Sequence, residues 1–216
     1  MMKSFLRIAT SLLALSAASM AADKQPGSHH TEKVSPKRTF RIEQRSRPEE
    51  GDSDSTLLWQ SWIVPANGES PYRLALCHDG ELTWPGLFEI SPNERFIFHV
   101  QKTGSGDNYG ALFARDADGL FRPIAIASTP LPFSNAAWEF FQQNTQLKIA
   151  LYHDGVEFLS WGDDGKCLEF SLHGTDTGES YWISDWRLHF NTETGRFFCT
   201  PSQKKHNLKS IHYRRR

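Results

Sequence analysis

The chain has 216 residues, 23% of them charged, and a net charge of −1 that hides a segregation of sign. Residues 56–201 carry 9 Lys and Arg against 18 Asp and Glu, whereas residues 202–216 carry six basic side chains and no acid. An acidic body excludes a nucleic-acid-binding core, because phosphate contact needs a positive face; the basic tail is expected to stay solvated or to lie on its own acidic surface.

Residues 1–21 read as a secretory signal. Lys3 and Arg7 precede an apolar run from Ile8 to Ala18, and Ser19-Met20-Ala21 offers small residues for cleavage before Ala22. The run is too short to span a bilayer, and the mature chain carries no other candidate span, so export to the periplasm or the extracellular space is expected. Residues 22–55 are rich in Lys, Arg, Glu, Ser and Pro, with Phe40 and Ile42 almost alone among large apolar side chains. Such a segment is expected to form a flexible arm, since it buries too little surface to offset its ordering entropy. Within it only Thr39-Phe40-Arg41-Ile42 alternates like a short strand.

Residues 56–201 are the size of one domain. Runs from Leu57 to Val64, Tyr72 to Leu76, Leu87 to Ile90, Phe96 to Val100, Tyr109 to Arg115 and Leu120 to Ile126 are cut by turn residues, a strand-and-hairpin rhythm. A second set follows at Ile149–Tyr152, Val156–Trp161, Leu168–Leu172, Tyr181–Phe190 and Arg196–Cys199. Between them Ser134 is a fitting N-cap for a helix over 134–144, with Trp138 and Phe141 on one face. Leu76-Cys77-His78-Asp79-Gly80 is echoed by Leu151-Tyr152-His153-Asp154-Gly155, and an offset of 72 pairs Phe96, Phe98 and Val100 with Leu168, Phe170 and Leu172, whereas aligning the turns gives 71 (162 − 91). The expectation is a mainly β domain of two similar antiparallel modules, about 72–126 and 147–199, with one covering helix.

Phe88-Glu89-Ile90-Ser91-Pro92-Asn93-Glu94-Arg95-Phe96-Ile97-Phe98 resembles the strand–turn–strand signature of WD40-like propeller repeats of the TolB type. Trp161-Gly162-Asp163-Asp164-Gly165-Lys166-Cys167-Leu168-Glu169-Phe170 is similar to the same signature. The resemblance implies blades around an axis and protein or envelope partners. Glu94 stands where the turn glycine is usual, and Gly162-Asp163 replaces Ser-Pro in the second copy. Two modules supply at most about four short blades, so a partial propeller and a two-sheet β structure are both compatible with the pattern.

Cys77, Cys167 and Cys199 allow at most one internal disulfide, and none forms a Cys-x-x-Cys pair, so neither thioredoxin chemistry nor a zinc ribbon is supported. The two His-Asp-Gly triplets read as turns rather than metal ligands, because Asp-Gly in a strand-rich chain marks tight reversals. No nucleophile elbow, zinc helix or phosphate-cradling loop is present, and no metal or cofactor is expected. Seven tryptophans are many for one domain. Most are expected in the core, but Trp84, at a Pro-Gly turn, and Trp182 and Trp186, sharing parity in one strand, are the candidate ligand-binding positions. These features point to a non-catalytic binding protein with an envelope protein or a glycan as partner. The rival is a secreted polysaccharide hydrolase using acids such as Glu157, Asp163, Asp164 or Asp185.

Overall fold

The computed structural model describes residues 30–48, 57–76, 83–127, 129–148 and 150–214. The expected signal, Cys77, the first His-Asp-Gly triplet and residues 22–29 and 49–55 of the expected arm lie outside the described residues.

Among the described residues strands dominate, as the alternation predicts, in three antiparallel sheets with two helices and no closed barrel or propeller. The first sheet joins β1 (His30–Val34), β2 (Phe40–Pro48), β3 (Leu57–Pro65) and β4 (Tyr72–Arg73) in chain order. The second joins β5 (Leu87–Ile90), β6 (Phe96–Lys102), β7 (Asn108–Arg115) and β8 (Phe121–Pro123) in the same way. The third joins β9 (Leu151–Trp161), β10 (Cys167–Asp176), β11 (Tyr181–Asn191) and β12 (Arg196–Phe198), and β13 (Ile211–Tyr213) pairs with the other end of β11. Helix α1 (Phe133–Thr145) links the second and third sheets along the chain, and α2 (Pro201–Asn207) lies between β12 and β13.

The middle sheet is buried on both faces, which is why β6 is a nearly continuous apolar run. Ile97 and Phe113 face a core shared with Phe40, Ile42, Ile63 and Leu74 of the first sheet and its flank. Phe96, Phe98 and Leu112 face a second core with Leu168, Phe170 and Leu172 of the third sheet. Helix α1 seals this second core: the Phe133 ring lies 5.7 Å from Phe98 and 5.3 Å from Phe170, and Phe141 meets Trp186 at 5.0 Å. Ser134 is not the cap of this helix; it is buried inside the first turn, and Pro132 occupies the cap position without a side-chain bond.

Four further expectations are corrected. The offset of 72 is not the one the turn hydrogen bonds follow, and the residues it pairs, Phe98 and Phe170, meet across the core with rings 5.8 Å apart. The turn hydrogen bonds match instead at an offset of 71 (162 − 91): Ser91 N–H to Phe96 O and Glu94 N–H to Ser91 O correspond to Gly162 N–H to Cys167 O and Gly165 N–H to Gly162 O. The same pattern occurs once more, with Ser35 N–H to Phe40 O and Arg38 N–H to Ser35 O.

Residues 30–48 form strands rather than a flexible arm. Phe40 and Ile42 enter the first core, and the buried Glu43 carboxylate is held by Arg41 at 2.6 Å and by Arg45. Burial pushes that carboxyl up, but the two guanidinium groups outweigh it and hold it below its ordinary range. The Gln44 amide accepts from Gly86 N–H at 2.7 Å and donates to Gly86 O at 2.9 Å, tying the first sheet to the strand leader of the second. Paired polar groups thus supply what the apolar count lacks.

For the tail from residue 202 only the first alternative, a solvated extension, is corrected; it takes the second and lies on acids of its own body, His206 on Asp185 at 3.0 Å and Arg214 on Glu179. Thr200 and Gln203 form a reciprocal capping box at the start of α2, and Pro201 fills the first helical turn. Asn207 accepts from Arg187 N–H and donates to Arg187 O, both at 2.8 Å, while Gln203 donates to Glu169 at 2.9 Å. Helix α2 therefore docks by hydrogen bonds rather than by an apolar stripe.

The second His-Asp-Gly triplet is not a hairpin turn. It sits inside β9 as an extra residue in the ladder, between the Tyr152–Thr175 and Gly155–His173 pairs, with His153 at φ 51°. Asp107 and Asn108 side chains receive the Asp154 and Val156 N–H groups there, and a Cβ on Gly155 would come within 2.4 Å of Asn108 Oδ1.

Candidate functional site

The three tryptophans singled out above do not converge. Trp186 is 3% exposed and packs against Phe140 and Phe141 of α1, with one edge lining a depression of about 560 Å³ beneath α2. Trp84 is 40% exposed before the second sheet, where the Lys102 ammonium stands 4.7 Å from its ring centre. Trp182 is 43% exposed on β11 of the third sheet. The shared parity of Trp182 and Trp186 fails for a physical reason: β11 carries one residue more than β10 between the Gly174–Ile183 and Leu172–Trp186 pairs. That bulge turns Trp182 out and Trp186 in.

Around Trp182 the pairing of four strands builds a row that sequence reading missed. Thr175 on β10 lies directly opposite Trp182 on β11 and directly opposite Tyr152 on β9, and Trp182 lies opposite His212 on β13. Directly paired residues share one face of a sheet. The order across the strands is therefore Tyr152, Thr175, Trp182, His212. The Trp182 indole and the His212 imidazole are stacked, with centroids 5.0 Å apart and planes 17° apart. His212 thus covers one face of the indole, and Tyr152, whose ring meets His153 edge-on at 4.8 Å, stands two strands away across Thr175. His212 is held in place by a 3.0 Å bond between its Nε2 and Ser184 Oγ.

This row opens into a cleft of about 720 Å³ at the end of the third sheet. Tyr152, Thr175 and Trp182 line it with Tyr213 and with Glu179 and Arg214, which form an ion pair. Glu179 lies in the β10–β11 turn with φ 51°, and Arg214 follows β13, its N–H bonded to Ser180 O at 3.1 Å. The residues missed by sequence reading come from strand ends and from the tail. Their only signals were the aromatic character of Tyr152 and Tyr213.

The acids named as hydrolase candidates are dispersed. Asp163 and Asp164 sit exposed in the β9–β10 turn, where Asp164 receives the Lys166 N–H. Asp185 lies in the β11 bulge, bonded to Arg187 at 2.8 Å and to His206 at 3.0 Å. Burial pushes the Asp185 carboxyl up, but Arg187 and His206 outweigh it and hold it below its usual range, as a structural ion pair does. Glu157 is exposed on β9. Asp154, by contrast, is pushed upward, first by burial and then by the charge of Asp107.

Among the described residues no group of three His, Cys, Asp or Glu side chains could hold a metal ion, and no helix is long and apolar enough to cross a membrane. Cys167 and Cys199 are free thiols, and burial pushes the Cys199 thiol up to about 11, which keeps it in the unreactive protonated form. Comparison with protein-family models and with curated proteins finds no match for this chain.

Proposed function

We propose that this protein is an exported, non-catalytic binding protein of the cell envelope or extracellular space, and that its ligand is a glycan seated in the cleft beside Trp182. The observation that carries this reading is the cross-strand row Tyr152–Thr175–Trp182, which leaves one indole face free in a cleft that also presents hydroxyl and guanidinium groups. Aromatic faces receive the apolar faces of sugar rings, while short polar side chains receive their hydroxyls. A protein partner is the competing occupant, in keeping with the resemblance of the hairpins to TolB-type repeats. Hydrolysis draws no support from Asp164 or Asp185, whose carboxylates are occupied in a turn and an ion pair, and Asp163 stands exposed in the same turn as Asp164.

The test is a glycan array followed by titration calorimetry with the mature chain. Binding without product release, lost on Trp182→Ala, is the expected result. Release of shortened saccharide, abolished by a single carboxylate-to-amide change, would overturn it.

A further inference from the structure

Resting on the glycan-binding reading above, the geometry points to a more specific mode: we infer that the cleft clamps a single uncharged pyranose ring between the Trp182 indole and the Tyr152 ring, over Thr175, and does not serve as a flat platform for a long chain. Three observations combine. First, the stacking of Trp182 on His212 runs across the strands, so the free indole face is turned towards β9 and not up from the sheet. Second, Tyr152 and Trp182 are separated by two strand spacings, about 9–10 Å. A ring in van der Waals contact with an aromatic group on each side needs about 7–8 Å, twice the contact distance of 3.5–4.0 Å, so one ring fits with a modest lean of the side chains. Third, the intervening residue is Thr175, small enough to form a floor and able to meet a ring hydroxyl with its own.

Charge selects the class of sugar. Among the described residues the charged groups lining the cleft are Glu179 and Arg214, and they neutralise each other. A carboxylate-bearing or sulfated sugar would have to compete with Glu179 for Arg214, whereas a neutral ring can accept from the guanidinium and donate to the carboxylate through adjacent hydroxyls without breaking the pair. Tyr213 pairs with Tyr181, so both belong to the face opposite Trp182, and they line the cleft where it wraps the end of the sheet. One ring fills the span between Trp182 and Tyr152, so the rest of a longer saccharide lies outside the aromatic pair.

The experiment is calorimetry on the full mature chain with methyl pyranosides, the matching di- to hexasaccharides and a uronic acid analogue, repeated with Thr175→Phe and Trp182→Ala, circular dichroism serving as the fold control. The expected results are affinities for the monosaccharide and the longer chains that agree within about threefold, at least a tenfold loss for the uronic acid, and loss of binding in Thr175→Phe with the β spectrum intact. Affinity that climbs tenfold or more with chain length, or that survives Thr175→Phe while Trp182→Ala abolishes it, overturns the single-ring clamp and leaves glycan binding standing. If no saccharide binds, both readings fall together.

Discussion

The Asn93 amide donates to the Asp164 carbonyl oxygen at 2.7 Å, joining the β5–β6 turn of the second sheet to the β9–β10 turn of the third. One residue on, Glu94 reaches the other way: its carboxylate receives the Lys37 N–H and the Thr39 hydroxyl of the β1–β2 turn in the first sheet. Three turns of one hydrogen-bond pattern are therefore linked in series at one end of the molecule. Glu94 achieves this from a left-handed backbone, φ 61°, that glycine adopts more readily.

Two opposing effects act at Glu94. Glycine would relieve about 1 kcal/mol of backbone strain, but removing the carboxylate loses its charge-assisted bonds to the Lys37 N–H and the Thr39 hydroxyl, together about 1.5–3 kcal/mol. The expected order of stability in urea is wild type, then Glu94→Gly, then Glu94→Ala, which loses the bonds and keeps the strain. A Glu94→Gly protein more stable than wild type would show that the bridge contributes nothing.

His99 sets an acid limit on stability. It is 2% exposed, stacked on Phe88 at 4.5 Å, and burial lowers its pKa to about 4. Unfolded, the ring takes a proton near its ordinary value of 6.5, so between pH 6.5 and 4 the unfolded chain binds more protons than the folded one. Stability from this group is complete above pH 6.5 and falls as the pH drops through that window, by up to about 3 kcal/mol. Urea midpoints measured from pH 7 to 4 should fall steeply in wild type and less steeply in His99→Phe. Parallel slopes would refute the assignment.

Trp182 and Trp186 separate binding from folding. Trp186→Ala should cost about 3–5 kcal/mol, as large aromatic truncations in cores do. Trp182→Ala should cost under about 1 kcal/mol, because the side chain is half in solvent, yet abolish saccharide binding. Thermal melts paired with calorimetry distinguish the two; equal destabilisation would place Trp182 in the core after all.

Gln203 is the test of the polar docking of α2. Its amide oxygen accepts from Thr200 N–H at 2.9 Å and meets His189 Nδ1 at 2.8 Å, and its NH₂ group donates to Glu169. Gln203→Ala removes a cap and two sheet contacts together, with an expected loss of about 1–3 kcal/mol. A melting temperature unchanged by the substitution would mean that the tail does not depend on these bonds.

The strands of the second and third sheets were legible because their apolar residues alternate or run together between turn residues, a local property. Leu87–Ile90 was read to the residue, and Trp138 and Phe141 marked the buried face of α1. Of β2 only the alternation at Thr39-Phe40-Arg41-Ile42 was legible, and β1 and helix α2 were not, because Gln44, Gln203 and Asn207 are buried by pairing with partners far along the chain.

What the sequence by itself determined is the class of structure: pleated strands, a covering helix and an interior of Phe, Leu and Ile. Those follow from which neighbours along the chain are apolar. Which tryptophan faces solvent was decided only by tertiary structure, since a single extra residue in β11 reverses the side chains beyond it. The cleft was decided there too. Tyr152, Thr175, Trp182 and His212 meet because four strands align in register, and register is a relation between strands that no one segment contains.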